Sequence, residues 1–155
     1  MATERAPEEL VEDLLERVVE ALGLNASVDV AAEGDTITGS VHGADLGLFI
    51  GRHGQTIEAV QHLAYRMASH RADTATRKRI VIDAEGYRAR REEALHRQAD
   101  QAADDAVRYK RPVALDAMTA SERKIVHEYL RERGDVETYS EGDEPDRHLV
   151  VAPLR

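Results

Sequence analysis

In Ile50-Gly51-Arg52-His53-Gly54-Gln55-Thr56-Ile57 two glycines are separated by only two residues and lie between two apolar-periodic stretches. No other feature of the chain restricts its fold so tightly. Ahead of the glycines, Leu46-Gly47-Leu48-Phe49-Ile50 reads as a very short helix that Asp45 can cap; behind them, Ile57, Val60, Leu63, Ala64 and Met67 form the inward face of a longer one. A backbone that turns between helices in so few residues needs conformations that a Cβ resists and glycine allows. The same absence of Cβ lets the loop approach a sugar–phosphate chain, toward which the next helix N-terminus is favourably polarised and Arg52 adds a mobile cation. No G-x-x-x-x-G-K-[ST] stretch exists, and a third glycine and a preceding strand are missing, so neither a P-loop nor a dinucleotide fingerprint is present.

The surroundings of the loop read as one unit. Leu10, Val11, Leu14, Leu15, Val18, Val19 and Leu22 recur at helical spacing from Pro7 until Gly23 stops them. Ala26, Val28 and Val30, then Ile37, Gly39 and Val41, alternate with polar residues about the turn Glu33-Gly34-Asp35, the pattern of a β-hairpin. After a polar stretch from Arg71 to Arg79, Ile80-Val81-Ile82 reads as a buried strand. The order is αββααβ. With the I-G-x-x-G-x-x-I loop inside it, residues 8 to 84 resemble a type II KH domain. That resemblance implies a clamp on about four single-stranded nucleotides, formed by Ile50, Gly51, Arg52, His53, Gly54, Gln55 and Ile57, with Ile50 and Ile57 on an apolar groove.

From about Gly86 to Arg108 nothing breaks the chain, and Tyr87, Ala94, Leu95, Ala99, Ala102 and Ala106 predict a long helix with a narrow buried stripe. Pro112-Val113-Ala114-Leu115 reads as a short extended piece. Thr119-Ala120-Ser121-Glu122 has the capping-box pattern and opens a helix to about Arg133, before Gly134. Val136 to Ser140 and His148 to Ala152 complete a hairpin.

Net charge of −9 argues at first against a polyanionic partner, but its distribution reverses that. Residues 1–45 carry −9, 46–65 are neutral, 66–131 carry +4 and 132–155 carry −4. A basic middle between acidic ends permits local phosphate affinity without indiscriminate polyanion binding. Absence of Cys excludes disulfides, thiolate metal sites and a cysteine nucleophile. No apolar run reaches the roughly 20 residues of a membrane helix and Met1-Ala2-Thr3-Glu4 lacks the features of a secretory signal, so a cytoplasmic protein is expected.

In the second unit Arg123-Lys124-Ile125-Val126-His127 sets an Arg and a His one turn apart, about 40° round the helix. Arg131 and Lys124 fall at about 80° and 100°, whereas Ile125, Val126, Tyr129 and Leu130 occupy the opposite arc. The expectation is an exposed basic stripe beside a core face, with Arg123 offering a planar fork and His127 a donor whose charge varies near neutral pH. The span Leu115 to Pro153 resembles the R-3-H (Arg-x-x-x-His) single-stranded nucleic-acid-binding domain, above all in Ser121-Glu122-Arg123-Lys124-Ile125-Val126-His127 and in Asp135 to Pro145. KH followed by R-3-H resembles the bacterial SpoIIIJ-associated family, also called Jag, KhpB or EloR. Longer members carry a further N-terminal domain and linker, whereas this chain begins at the first KH helix, so functions tied to that domain are not carried over.

Catalytic patterns fail. His127-Glu128 is followed by Arg131 where a zincin needs His, the remaining histidines are scattered, and Ser121 has no nucleophile-elbow context. The expectation is therefore an α+β protein, with a type II KH domain at 1–84 and a small R-3-H domain at 85–155 that includes the long helix at about 86–108. It is not an enzyme and needs no cofactor or metal. Single-stranded RNA is the expected ligand, held by the loop and by Arg123, Lys124, His127 and Arg131. The resemblance adds post-transcriptional regulation of cell elongation and division, and pairing with a small single-KH protein. Two alternatives stay open: an adaptor whose KH surface binds another KH protein, and a binder of single-stranded DNA.

Overall fold

A computed structural model describes residues 4–70, 72 and 76–155. The chain divides into two units, the first ending at Tyr87 and the second running from Arg88 to Arg155. Part of the polar stretch from Arg71 to Arg79 lies outside the described residues.

The first unit opens with α1 (Pro7–Ala21), where Pro7 takes the first helical position, at which no N–H is needed. β1 (Ala26–Glu33) and β2 (Thr36–Gly43) pair antiparallel with Val28 opposite Val41; β3 (Arg79–Ala84) joins β2 in parallel with Ile80 opposite Ile37. The sheet order is β1-β2-β3. Period-two alternation buries Ile37 and Val41 of β2 and Ile80, Ile82 and Ala84 of β3 in one core with Val11, Leu14, Leu15 and Val19 of α1 and Ile57, Val60 and Ala64 of α3 (Gln55–Ser69). Between β2 and α3 lie α2 (Gly47–Ile50) and a 3₁₀ turn, Arg52–Gly54. Four residues cannot sustain a helix alone. Phe49, fully buried in the same core, anchors α2 through roughly 2–3 kcal/mol of apolar burial.

Three expectations change here. Leu63 is 48% exposed, because it lies roughly 90° round α3 from the centre of the buried arc set by Ile57, Val60 and Ala64. Val81 is only half-buried, since β3 has one covered face rather than two. Asp45 sits one residue before the N-cap, Leu46, and accepts a 3.4 Å hydrogen bond from Gly47 N–H.

The second unit contains α4 (Tyr87–Tyr109) from its second residue onward, β4 (Val113–Ala114), α5 (Ala120–Leu130), β5 (Val136–Glu141) and β6 (His148–Pro153). Both pairings are antiparallel, in the order β4-β6-β5. Central β6 is buried at Leu149, Val150, Val151 and Ala152 in succession. Leu95, Ala99, Ala102, Ala103 and Ala106 of α4 join Val126 and Leu130 of α5 and Leu149 and Val151 of β6 in a second core. Two polar links run between the two helices, Arg91 Nε to Glu122 Oε1 (2.6 Å) and Tyr129 Oη to Asp100 Oδ2 (2.8 Å), and a third ties the turn after α5 to α4, Arg133 Nη1 to Asp104 Oδ1 (3.0 Å). Both partners ascend in sequence along the series, so α4 and α5 run in the same sense.

Here too the sequence reading needs correction. Tyr87 packs against the first core, Ala94 is half-buried, and Ala103 supplies the buried position. Tyr129 is not a core residue. It is 38% exposed, stacked on His96 with centroids 3.9 Å apart, because Asp100 draws its hydroxyl outward. The capping box is half made: Thr119 accepts from Glu122 N–H at 3.4 Å, but the buried Glu122 carboxylate turns to Arg91. Helix α5 ends at Leu130, three residues early.

At the entry to β5, Arg133 forks onto Asp135 with contacts of 3.0 and 2.9 Å, and holds that carboxyl below its usual range. A depressed carboxylate pKa stabilises the fold above the unfolded value and ceases to do so as pH falls through the folded one. Unfolding midpoints measured on acidification below about pH 4 should therefore show a component that Asp135→Asn removes. An unchanged acid limb in that variant would show the fork to be idle.

Candidate nucleic-acid interface

In the glycine loop, backbone geometry is decisive. Gly51 has φ +75° and ψ 175°, a region only glycine occupies readily, and a Cβ there would overlap Thr56 Oγ1. Gly54 is buried with φ +73°, and its Cβ would meet the Tyr87 hydroxyl at 2.8 Å. Between them His53 also takes a left-handed conformation, φ 56°. Arg52 is exposed, and its Nε–H donates to His53 Nε2 at 3.3 Å. That bond leaves both terminal guanidinium nitrogens without a protein partner among the described residues. Gln55 is exposed at the first turn of α3. Ile50 is half-buried, whereas Ile57 is wholly buried and presents no surface. The apolar surface beside the loop is instead Leu48, 65% exposed.

The predicted basic stripe on α5 is not a stripe. Arg123 is 8% exposed: Nη1 donates to Met118 O at 2.6 Å and Nη2 to Glu144 Oε1 at 2.6 Å. Helix geometry gave its angle, but the loop between β5 and β6 closes over it. His127 is exposed, with Nδ1 hydrogen-bonded to the Thr138 hydroxyl. Lys124 is exposed as expected. Lys124, His127 and Arg123 share a depression of about 480 Å³ with Thr138, Tyr139 and Arg147; Arg131 lies outside its lining. Arg147 and Tyr139 were not singled out from sequence. The signal was the hairpin register, since pairing Glu141 with His148 returns Arg147 to the vicinity of β5's end, where its Nη1 donates to Gly142 O at 2.6 Å. The depression thus gathers three cations and the hydroxyls of Thr138, Tyr139 and Ser140, the first of them bonded to His127, a set suited to phosphate oxygens. Among the described residues no three His, Asp or Glu side chains gather as a metal site, and no helix is long and apolar enough to cross a membrane.

Residues 8–82 match the family model described as the KH domain of KhpA/KhpB, and residues 93–153 match that of the R-3-H domain. RNA-binding protein KhpB of Bacillus subtilis (strain 168) is 34% identical over 143 residues, covering 91% of this chain and 68% of that protein. This chain belongs to the KhpB family. The KhpB proteins of Lactiplantibacillus plantarum and Clostridium symbiosum are 38% and 33% identical over 140 and 147 residues, or 90% and 92% of this chain. They are longer: the chain spans 43% of the first and 64% of the second. Within the KhpB family assignment, the α+β architecture divides into a KH unit carrying the glycine loop and an R-3-H unit carrying Arg123 and His127.

Arg123→Ala would leave the buried Met118 carbonyl unsatisfied and release Glu144, so it should cost the R-3-H unit about 2 kcal/mol. It is therefore a poor probe of binding. Lys124 and Arg147, both outside the buried core, are the residues to change.

Proposed function

We propose that this chain is a non-enzymatic binder of single-stranded RNA, with residues 1–84 as its KH domain and 85–155 as its R-3-H domain. The observation that carries this reading is the glycine loop, which fixes a backbone too tight for side chains and sets Arg52 and His53 on it with the guanidinium terminus unengaged. Gly51, Arg52, His53, Gly54 and Gln55 bind one stretch of strand, Ile50 supports the loop beside exposed Leu48, and Ile57 acts from within the core. Lys124, His127 and Arg147 hold phosphates in the second depression. Arg123 anchors the overlying loop through Glu144, and Arg131 contributes only long-range charge. The KhpB proteins named above are RNA-binding by name, which supports RNA over single-stranded DNA. Post-transcriptional control of cell elongation and division, in the cytoplasm, is the role we attach to it.

A second reading, an adaptor pairing with a small single-KH protein, is favoured by one observation: Leu48 and Leu63 are large, apolar and exposed in the KH unit.

Two weak sites on one chain bind a long strand with high effective concentration. Strands of about four nucleotides should fill only the KH loop, while longer ones should bind about tenfold tighter or more. Lys124→Gln with Arg147→Gln should cut that advantage several-fold and leave short-strand binding intact, as read by fluorescence anisotropy against oligonucleotide length. Persistence of the full advantage in the double variant would mean that the depression does not contact the strand.

A further inference from the structure

Arg108-Tyr109-Lys110-Arg111 closes α4 and leads into β4, and all four residues are exposed. Tyr109 retains 56% of its surface, and the Arg108 and Arg111 guanidinium carbons lie 5.4 and 5.7 Å from its ring centroid, within reach of the ring's negative face. Among the described residues none of the three cations has an acidic partner. The preceding acids on the helix are already engaged: Asp104 accepts from Arg133 at 3.0 Å and Asp105 from Gln101 at 3.1 Å. Backbone geometry holds the cluster together, since Lys110 turns the chain at φ 53° and Arg111 N–H closes on Ala106 O at 3.2 Å. Three exposed cations thus stand together around one exposed ring in a chain of net −9.

We propose that this cluster is a further contact for single-stranded nucleic acid within the R-3-H unit, with a base stacked on Tyr109 and flanking phosphates held by Arg108, Lys110 and Arg111. This rests on the RNA-binding reading and extends it. A base can take the place of either exposed guanidinium on the ring, and the displaced arginine then turns to a phosphate. An exposed aromatic face between cations suits a strand with bases better than a lipid headgroup or an acidic peptide, which would use the charge and leave the ring idle. β4, entered two residues after Arg111, and β5, which carries Thr138 and Tyr139, lie on opposite edges of the sheet. A strand occupying both places must cross two inter-strand spacings, about 10 Å.

The chain has no Trp, so Tyr109→Trp in the full chain introduces a single indole reporter. Titration with oligouridylate of about 12 nucleotides should quench it with the dissociation constant found by anisotropy. Tyr109→Ala should weaken binding about tenfold, and Tyr109→Phe should bind like the parent. Arg108→Gln with Arg111→Gln should flatten the slope of log K against log salt by about 1.4. Equal affinity of Tyr109→Ala and parent, equal loss in the Phe and Ala variants, or quenching by polyphosphate or phosphatidylglycerol vesicles as strong as by the oligonucleotide would each overturn the proposal while RNA binding by the chain still stands. A parent chain that fails to bind oligouridylate and mixed-sequence RNA alike overturns both readings together.

Discussion

Gly51→Ala will destabilise the KH unit by about 3 kcal/mol, the sum of placing an alanine in a glycine-only backbone region and of forcing its Cβ into Thr56. With a urea dependence of about 1–2 kcal/mol per molar, the midpoint of that unit's transition should fall by roughly 2 M. Adding Thr56→Ala removes the overlapping hydroxyl but leaves Thr56 Cβ and N at 2.7 and 2.9 Å, so it should restore only part of the loss. Gly134→Ala is the control: nothing lies within 4 Å of the added Cβ, and stability should stay within about 0.5 kcal/mol. A midpoint for Gly51→Ala equal to that of the control would mean the loop relaxes freely and is not a rigid frame.

Arg52→Asp with His53→Asp should weaken RNA binding by roughly 30- to 100-fold, because at least one charge-assisted bond of about 1.5–3 kcal/mol is lost and two anions face the phosphates. The fold should survive. Arg52 is exposed, and aspartate tolerates the left-handed conformation of position 53 better than most residues. The glycine loop and the R-3-H depression, with about four phosphate contacts at −0.7 each, should contribute about −3 to the slope of log K against log salt, to which the Tyr109 cluster adds, and the variant's slope should be shallower than the parent's by about 0.7 to 1.4. Circular dichroism of parental shape together with unchanged affinity would reduce the loop to a turn.

Elements set by short-range periodicity were legible in the sequence. Alternation at Val28, Val30, Ile37 and Val41 gave the hairpin, and the spacing of Leu95, Ala99, Ala102 and Ala106 gave the buried side of the long helix. Gly51 and Gly54 were legible because glycine's permissiveness is local. What failed depended on residues distant in sequence. Helical angle placed Arg123 on an open face, yet what covers it is Glu144, 21 positions later. Tyr129 was drawn from the core by Asp100, and Glu122 from its cap by Arg91, each about 30 positions away. Arg147 was invisible for the complementary reason, since only the returning hairpin gives it neighbours.

The three polar links that tie α5 and the turn after it to α4 bear on how this helix pair can vary. Small side chains such as Ala99, Ala102 and Ala103 offer little to stop one helix sliding along another by a turn. Arg91 is a cation on α4, whereas Asp100 and Asp104 on the same helix are anions, so the links have polarity as well as spacing. Sliding α5 one turn toward the C-terminal end of α4 would set Arg133 against Arg108 and the Glu122 carboxylate against Leu95, trading an attraction for a repulsion and a buried partner for a hydrocarbon. The docking position is thereby written twice, in these side chains and in the connecting segment, whose β4 pairs with β6 and whose Met118 enters the core.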